Sequence, residues 1–99
     1  MKIISYNVNG IRSALNKGLL DWLAAESPDV LCLQELKAME DQVDWAPFQR
    51  MGYHIYLNPA QKKGYSGVGI LSKQPADRVV CGMGIAHHDA EGRVIRADF

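Results

Sequence analysis

The chain has 99 residues, of which 47% are hydrophobic and 22% are charged, a size and composition typical of a small globular domain and not of a disordered chain. Eleven lysines and arginines balance 11 aspartates and glutamates, so the sequence lacks the cationic excess of a small basic nucleic-acid-binding module. No apolar run approaches the ~18 residues of a membrane span. Two cysteines do not make a disulfide framework, and we therefore expect a cytoplasmic protein with reduced thiols and no membrane association.

The first third of the chain predicts a strand, a helical segment and a second strand. Lys2–Val8 is rich in β-branched and aromatic residues and ends at an Asn-Gly turn. Apolar residues between Ile11 and Ala25 recur with helical spacing, but Gly18 interrupts them, so one kinked helix and two short helices both fit. The apolar run Val30–Leu33 is typical of a parallel strand buried on both faces. Together these segments predict a βαβ unit.

The rest of the chain predicts a loop followed by several short strands. The polar segment after Glu35 is expected to form a loop with one or two helical turns, anchored by Trp45 and Phe48. From residue 53 the apolar pattern alternates with a period of two, and Gly, Pro and Asn separate the runs, which indicates antiparallel or mixed pairing. The predicted strands are 53–58, 68–71, 79–81 and 94–99. The fold class is therefore α/β.

The last predicted strand reaches Phe99 with an apolar face formed by Ile95, Ala97 and Phe99. Domain boundaries usually fall in exposed, flexible segments and not within a strand. We therefore expect residues 1–99 to be the N-terminal portion of a single domain that is truncated at Phe99, with the apolar face covered by later residues of the parent protein.

The carboxyl ends of the two strands in the βαβ unit carry polar residues. Asn7 and Asn9 end the first strand, and Glu35 ends the second. Ligands bind beyond the carboxyl ends of adjacent parallel strands, where Asn7 and Glu35 are expected to lie side by side. A carboxylate with an amide oxygen suits Mg²⁺, which is commonly held by one or two carboxylates and several waters. The alternative is that the asparagines shape a turn and that Glu35 is a solvated strand-end charge.

Cationic residues accompany these strand ends. Arg12 follows the first strand and Lys37 follows the second, and such cations suit a phosphate substrate held with a metal ion, or else are ordinary surface charges. A further basic segment, KKGYSGVG at residues 62–69, fits neither a dinucleotide fingerprint nor a Walker loop. There Lys63 can pair with phosphate while Tyr65 stacks on a base; the alternative is an ordinary hairpin turn.

Four blocks of sequence resemble the exonuclease III family of apurinic/apyrimidinic endonucleases. They follow the family's order and span nearly the whole chain: YNVNGIR at 6–12, DVLCLQELK at 29–37, KGYSGVGI at 63–70 and EGRVIR at 91–96. The Gln-Glu-Leu-Lys wording and residues 82–85 resemble a bacterial member. The resemblance implies the N-terminal part of a four-layered α/β sandwich, in which two mixed sheets pack face to face with helices outside.

The resemblance also implies an activity. It is that of a Mg²⁺-dependent DNA-repair phosphodiesterase, with Mn²⁺ as the alternative ion, which cleaves 5′ to abasic sites. Activity as a 3′–5′ exonuclease and 3′-phosphatase accompanies it in the family. The implied partner is duplex DNA that contains abasic sites or 3′ ends, and the implied full-length protein is a monomeric hydrolase.

The family's roles are carried over only at matching positions. Glu35 resembles the metal-binding glutamate, and Asn7 resembles the asparagine that lines the metal and the scissile phosphate; both are predicted catalytic and metal-binding residues. Asn9 occupies a position where some relatives carry Asp, so this site has one negative charge fewer. The predicted DNA-binding residues are Asn9, Arg12, Lys37, Lys63, Gly64 and Tyr65.

The chain lacks counterparts of other residues that the family uses. These are the active-site tyrosine, the Gly-Asp-Xaa-Asn segment and the Ser-Asp-His segment, and we therefore expect residues 1–99 alone to be inactive. Two other functions fit the sequence. One is a phosphatase of the same superfamily that acts on a non-DNA phosphoester, and the other is a non-catalytic DNA-binding fragment.

Overall fold

The computed structural model of the chain describes residues 1–60, 64, 66–82, 92–93 and 95–99. In these residues the elements follow the order β1 (Ile3–Asn7), α1 (Ile11–Asn16), α2 (Leu19–Glu26), β2 (Val30–Gln34), a 3₁₀ turn (Glu40–Gln42), α3 (Ala46–Arg50), β3 (His54–Asn58), β4 (Val68–Ser72), β5 (Arg78–Cys81) and β6 (Ile95–Asp98). No described helix is long and apolar enough to cross a membrane.

The N-terminal βαβ unit forms as the sequence predicts. β1 and β2 are parallel neighbours, with Ile3 opposite Val30 and Asn7 opposite Gln34. The helical segment between them divides into two short helices, because Gly18 has a left-handed φ of 98°. Glycine adopts this conformation without the steric penalty of a side chain, which explains why the chain changes direction there. Of the two alternatives for residues 11–25, the structure therefore has two helices.

The described strands form one mixed sheet and one antiparallel ribbon. The four-stranded sheet has the order β1-β2-β4-β3, and β5 pairs with β6. β4 runs antiparallel to both β2 and β3, and β6 runs antiparallel to β5. Antiparallel or mixed pairing was expected for the strands from residue 53 onward, and the described pairings of β3 to β6 are antiparallel.

The hydrophobic core lies between the helices and one face of the mixed sheet. Leu31, Leu33 and Leu71 project from the sheet and are at most 1% exposed, and Phe48 of α3 is fully buried with them. Burial of such side chains stabilises the fold by about 1.5–3 kcal/mol each. On the opposite face Val30 is buried and Cys32 is half-buried. β2 is therefore covered on the helix face and partly covered on the other face.

The β5–β6 ribbon lies against the β3 side of the sheet, on the face away from the helices. The Tyr56 hydroxyl accepts a hydrogen bond of 2.8 Å from the Ala76 backbone N–H just before β5. The Cys81 thiol of β5 lies 3.7 Å from the Leu57 carbonyl oxygen. Helices, a mixed sheet and a ribbon are thus stacked as layers, as in an α/β sandwich. At the β1 side of this face Ile3 remains 61% exposed.

Candidate active site

The ends of β1 and β2 bring Asn7 and Glu35 into direct contact. The strands are parallel and in register up to Asn7, so both chains leave the sheet at the same edge. The Asn7 Nδ2 group donates a hydrogen bond to the Glu35 carboxylate oxygen Oε2. The backbone N–H of Asn9 donates to Asn7 Oδ1 over 3.0 Å. The asparagine amide therefore has a fixed orientation, with its nitrogen toward the carboxylate.

The loop that carries Glu35 is held between two other loops by backbone hydrogen bonds. On one side the N–H groups of Gly10 and Ile11 donate to the carbonyl oxygens of Glu35 and Leu36, over 2.8 and 2.9 Å. On the other side the N–H groups of Leu36 and Lys37 donate to the carbonyl oxygens of Gly67 and Ser66, over 3.0 and 2.7 Å. The Leu36 side chain is 2% exposed, so it anchors the loop in the core.

The anchoring of Leu36 directs the residues on either side of it toward solvent. Glu35 and Lys37 have left-handed backbones, with φ angles of 54° and 52°. Their side chains are 40% and 39% exposed. Such conformations are unfavourable for residues with a side chain and persist where the surrounding structure enforces them, often at functional sites. The carboxylate and the ammonium therefore emerge together at the rim of the sheet.

Two cations lie beside the Asn7–Glu35 pair. Lys37 Nζ donates to Asn9 Oδ1 over 2.6 Å and lies 3.7 Å from Glu35 Oε1. Arg12 Nη2 donates to the Lys37 carbonyl oxygen over 3.4 Å. The structure thus brings together five of the predicted site residues, which are Asn7, Asn9, Arg12, Glu35 and Lys37.

The glycine-rich segment is described only in part. Gly64 is exposed with a φ of 73°, whereas Lys63 and Tyr65 lie outside the described residues. The segment approaches the site through its backbone, because Ser66 and Gly67 accept the hydrogen bonds from the Glu35 loop. A side chain at Gly67 would place its Cβ 3.3 Å from Leu36 Cβ, which explains the need for glycine there. The sequence did not lead to the prediction that Leu36, Ser66 and Gly67 support the site. The glycine at position 67 was the one residue whose type could have indicated this close packing.

The donor set fits a divalent cation that prefers oxygen ligands. In the part of the chain that the structure describes, no three His, Cys, Asp or Glu side chains gather at one point. Zinc, which takes several nitrogen or sulfur ligands, therefore has no site in these residues. Mg²⁺ needs fewer protein ligands, since one carboxylate with waters and substrate phosphates commonly holds it. Glu35 offers such a carboxylate, and Asn7 Oδ1 keeps a second lone pair beside it.

A groove runs beside β1 next to this site. Its volume is about 740 Å³, and its lining includes Asn7, Asn9 and the paired rings of Tyr6 and Trp22, whose centroids are 5.4 Å apart. Glu35 is not among the residues that line the groove. The Glu35 carboxylate therefore lies outside this groove, at the rim of the sheet, with its side chain 40% exposed.

Comparisons with known proteins agree on the kind of protein. The sequence profile of the Endonuclease/Exonuclease/phosphatase family matches residues 4–99. The exodeoxyribonuclease of Bacillus subtilis is 48% identical over 100 residues, which cover 100% of this chain and 38% of that protein. The DNA-(apurinic or apyrimidinic site) endonuclease of Dictyostelium discoideum is 42% identical and is covered over 27% of its length. The chain thus spans well under half of the curated relatives it matches.

Solved structures give the same result for the fold. An AP endonuclease from Archaeoglobus fulgidus superposes with a TM-score of 0.85 and 38% identity, over 98% of this chain and 36% of that one. A 3′ phosphatase from Neisseria bound to a product DNA hairpin superposes with a TM-score of 0.85 and 37% identity, over 98% and 37%. Because the relatives come from bacteria, archaea and eukaryotes, a bacterial source stays a prediction. The α/β fold, the matched profile and the similarity to exodeoxyribonucleases and AP endonucleases show that the chain belongs to the Endonuclease/Exonuclease/phosphatase family.

Proposed function

We propose that the protein is a DNA-repair phosphodiesterase that cleaves 5′ to abasic sites in duplex DNA and uses Mg²⁺, with Mn²⁺ as the alternative ion. The observation that carries the proposal is the contact between Asn7 and Glu35 where the parallel strands β1 and β2 end. The names of the relatives, an exodeoxyribonuclease and an AP endonuclease among them, support the substrate class. Activity on 3′ ends is part of the proposal, because a 3′ phosphatase and a 3′–5′ exonuclease are among the structural neighbours.

Each residue of the site has a role in this proposal. Glu35 would hold the divalent ion, which when bound would supply positive charge to the scissile phosphate and to the departing 3′ oxygen. Asn7 orients the Glu35 carboxylate by donating to it, and its Oδ1 borders the same space. Arg12, at the start of α1, adds a cation for the DNA backbone, and Lys63 adds a second one in the glycine-rich segment. Gly64 and Tyr65 of that segment contact the DNA by their resemblance to DNA-contacting positions of the family.

The relatives favour DNA over the alternative substrates. An exodeoxyribonuclease and an AP endonuclease are among them, and one structural neighbour is bound to a product DNA hairpin. We further propose that the intact protein is monomeric and cytoplasmic. The free cysteines of this chain are in keeping with a reducing compartment.

Replacement of the metal-binding carboxylate tests the proposal. In the intact protein, Glu35→Gln is expected to lower kcat/KM for nicking of an abasic duplex about 100-fold at limiting Mg²⁺, because the neutral amide holds the ion weakly. EDTA should abolish nicking by the unsubstituted protein, and Mg²⁺ should restore it. Glu40→Gln is the matched control, since Glu40 is an exposed acid in the following 3₁₀ turn.

The result also separates the alternatives. Unchanged turnover of Glu35→Gln at limiting Mg²⁺ would show that Glu35 is not the metal ligand. Hydrolysis of soluble phosphoesters with no nicking of abasic DNA would favour the superfamily phosphatase. Metal-independent binding to abasic DNA without cleavage would favour a non-catalytic DNA-binding protein.

A further inference from the structure

The sequence predicts that Lys37 contacts DNA, and in the structure its ammonium contacts two side chains of the same chain. Its ammonium donates to Asn9 Oδ1 over 2.6 Å and lies 3.7 Å from Glu35 Oε1. Charged hydrogen bonds of such length are among the stronger ones in proteins. The ammonium is therefore engaged by an amide and a carboxylate and does not extend freely from the surface.

The backbone of Lys37 is also held in place. The Lys37 N–H donates to the Ser66 carbonyl oxygen over 2.7 Å, and its own carbonyl oxygen accepts from Arg12. The left-handed φ of 52° and the buried Leu36 before it fix the direction in which the side chain leaves the loop. From this position the ammonium reaches Asn9 and Glu35.

Lys37 closes a ring of contacts among four residues. Glu35 Oε2 accepts from Asn7 Nδ2, Asn7 Oδ1 accepts from the Asn9 N–H, Asn9 Oδ1 accepts from Lys37 Nζ, and Lys37 Nζ faces Glu35 Oε1. We call these residues (Asn7, Asn9, Glu35 and Lys37) the site ring. The ring contains one carboxylate and one ammonium, so its charges cancel without any bound ion.

We propose that Lys37 is a positioning residue that holds Glu35 and Asn9 in place and acts as a built-in cation against which the divalent ion competes for Glu35. This inference rests on the proposed function, since it takes Glu35 as the metal ligand. The ammonium repels a divalent ion bound at the same carboxylate and so weakens its binding. Once the ion is bound, the bond from Lys37 to Asn9 keeps that side of the ring in place.

The proposal gives opposite effects on metal binding and on turnover. Lys37→Met keeps an aliphatic side chain but removes the charge and the donor. Divalent binding should then become about tenfold tighter, because a like charge within a few ångströms is removed from a partly exposed site. The kcat at saturating Mg²⁺ should fall about tenfold, because Asn9 and Glu35 lose a partner that orients them. The KM for abasic duplex should change less than about twofold.

The experiment measures Mn²⁺ binding directly as well as activity. Electron paramagnetic resonance of free Mn²⁺ gives its dissociation constant for the intact protein without DNA, and steady-state nicking gives kcat and KM. Lys37→Arg keeps the charge and should restore Mn²⁺ affinity to within about twofold of the original. Lys73→Met removes an exposed lysine after β4, at the opposite edge of the sheet from the site ring, where Lys73 donates to the Ser27 carbonyl oxygen; it should leave Mn²⁺ affinity unchanged.

The possible results lead to different conclusions. Tighter Mn²⁺ binding in Lys37→Met, rescued by Lys37→Arg, supports the proposal. Unchanged or weaker Mn²⁺ binding in Lys37→Met overturns it. Lys37→Met could instead raise the KM for DNA and lower the slope of log KM against log salt concentration by about one, with Mn²⁺ affinity unchanged. That result also overturns the proposal and assigns Lys37 to a phosphate contact.

Glu35→Gln separates this proposal from the proposed function. If Glu35→Gln abolishes Mn²⁺ binding while Lys37→Met leaves it unchanged, the metal site stands and only the role of Lys37 is wrong. If Glu35→Gln binds Mn²⁺ as the original protein does, the metal site itself is wrong. Both variants alter partly exposed side chains, so the core residue Leu36 remains in place.

Discussion

Tyr53 ties α3 and β3 to the turn before β2 through a buried side-chain hydrogen bond. Its ring is 4% exposed, and its hydroxyl donates to the Pro28 carbonyl oxygen over 2.6 Å. Burial, and then the negative charge of Asp29, raise the pKa of Tyr53 above its usual value. The neutral hydroxyl is therefore the form that the folded state favours. The stabilisation is fully present below the unfolded pKa near 10 and is lost as pH rises through the higher folded value.

Removal of this hydroxyl tests its contribution. Tyr53→Phe is expected to lower the free energy of unfolding by about 1–2 kcal/mol at pH 7, because the Pro28 carbonyl loses its donor inside the protein. The variant should also lose part of the decline in stability above pH 10. Urea unfolding between pH 7 and pH 11 measures both. Tyr6→Phe, at an exposed tyrosine, is the control and should change stability by less than about 0.5 kcal/mol. Equal stability of Tyr53→Phe and the original chain would contradict the assignment.

At the candidate site, the sequence indicated which residues meet but not how they are held. The approach of Asn7 and Glu35 was predictable, because parallel strands place their carboxyl ends at the same edge of a sheet. The contacts of Lys37 with Asn9 and Glu35 were not predictable, and its DNA contact stays a prediction. The backbone angles of Glu35 and Lys37 depend on hydrogen bonds to Ser66 and Gly67. Those partners are remote in sequence, and no local pattern reveals the pairing.

Among the secondary-structure elements, the approach to β6 is constrained by one glycine. Gly92 has a φ of 60°, and a Cβ built on it would overlap the backbone that follows β3. It would lie 2.6 Å from the Pro59 carbonyl carbon and 2.7 Å from the Asn58 carbonyl oxygen. These atoms belong to the backbone and have little freedom to move. The absence of a side chain at Gly92 therefore lets the ribbon lie close to the mixed sheet.

A substitution at this glycine should separate the ribbon from the sheet. Gly92→Ala is expected to destabilise the protein by about 2–4 kcal/mol, from left-handed strain together with overlap on backbone atoms. Gly52→Ala is the matched control, because Gly52 has a φ of 94° but no atom lies within 4 Å of an added Cβ. Gly52→Ala should lower the free energy of unfolding by about 1 kcal/mol, because only the left-handed backbone is strained. Thermal unfolding measures both, and equal effects would show that the close approach does not matter.

The elements themselves were predictable to different degrees. The βαβ unit was predicted from local signals, namely apolar runs that end at Asn-Gly and Ser-Pro turns. The position of β4 between β2 and β3 was not, because a strand's neighbours are chosen by packing across the whole sheet. The sequence predicted an interruption at Gly18 but did not decide between one kinked helix and two short helices. The left-handed backbone of Gly18 produces two helices.

At the scale of the whole molecule, the polar groups of the described site all lie at one edge of the mixed sheet. Asn7, Glu35 and their neighbours lie at one rim, and the chain spans 38% of the Bacillus subtilis relative. By the resemblance, members of the family also use an active-site tyrosine, a Gly-Asp-Xaa-Asn segment and a Ser-Asp-His segment. None of these has a counterpart in residues 1–99. With the proposed function, water activation and stabilisation of the phosphate would therefore need groups other than those at the rim.

The isolated 99-residue chain should accordingly be inactive on DNA. Purified residues 1–99 are expected to give no nicking of abasic duplex above background in Mg²⁺, while the intact protein nicks the same substrate. Gel analysis of a fluorescent duplex with and without EDTA measures this difference. Circular dichroism of the same sample checks that the chain is folded. EDTA-sensitive cleavage by the isolated chain would contradict the prediction.

The left-handed backbones at Glu35 and Lys37 also affect how the sequence can be changed. Each such residue costs about 1 kcal/mol or more relative to glycine in the same conformation. A selection for heat resistance alone would therefore favour Gly or Asn at both positions. The resulting proteins would melt at higher temperature and would lack the carboxylate and the ammonium of the site. With the roles proposed for Glu35 and Lys37, stability and function compete at the same two residues, so directed evolution of this chain needs a screen for function at every round.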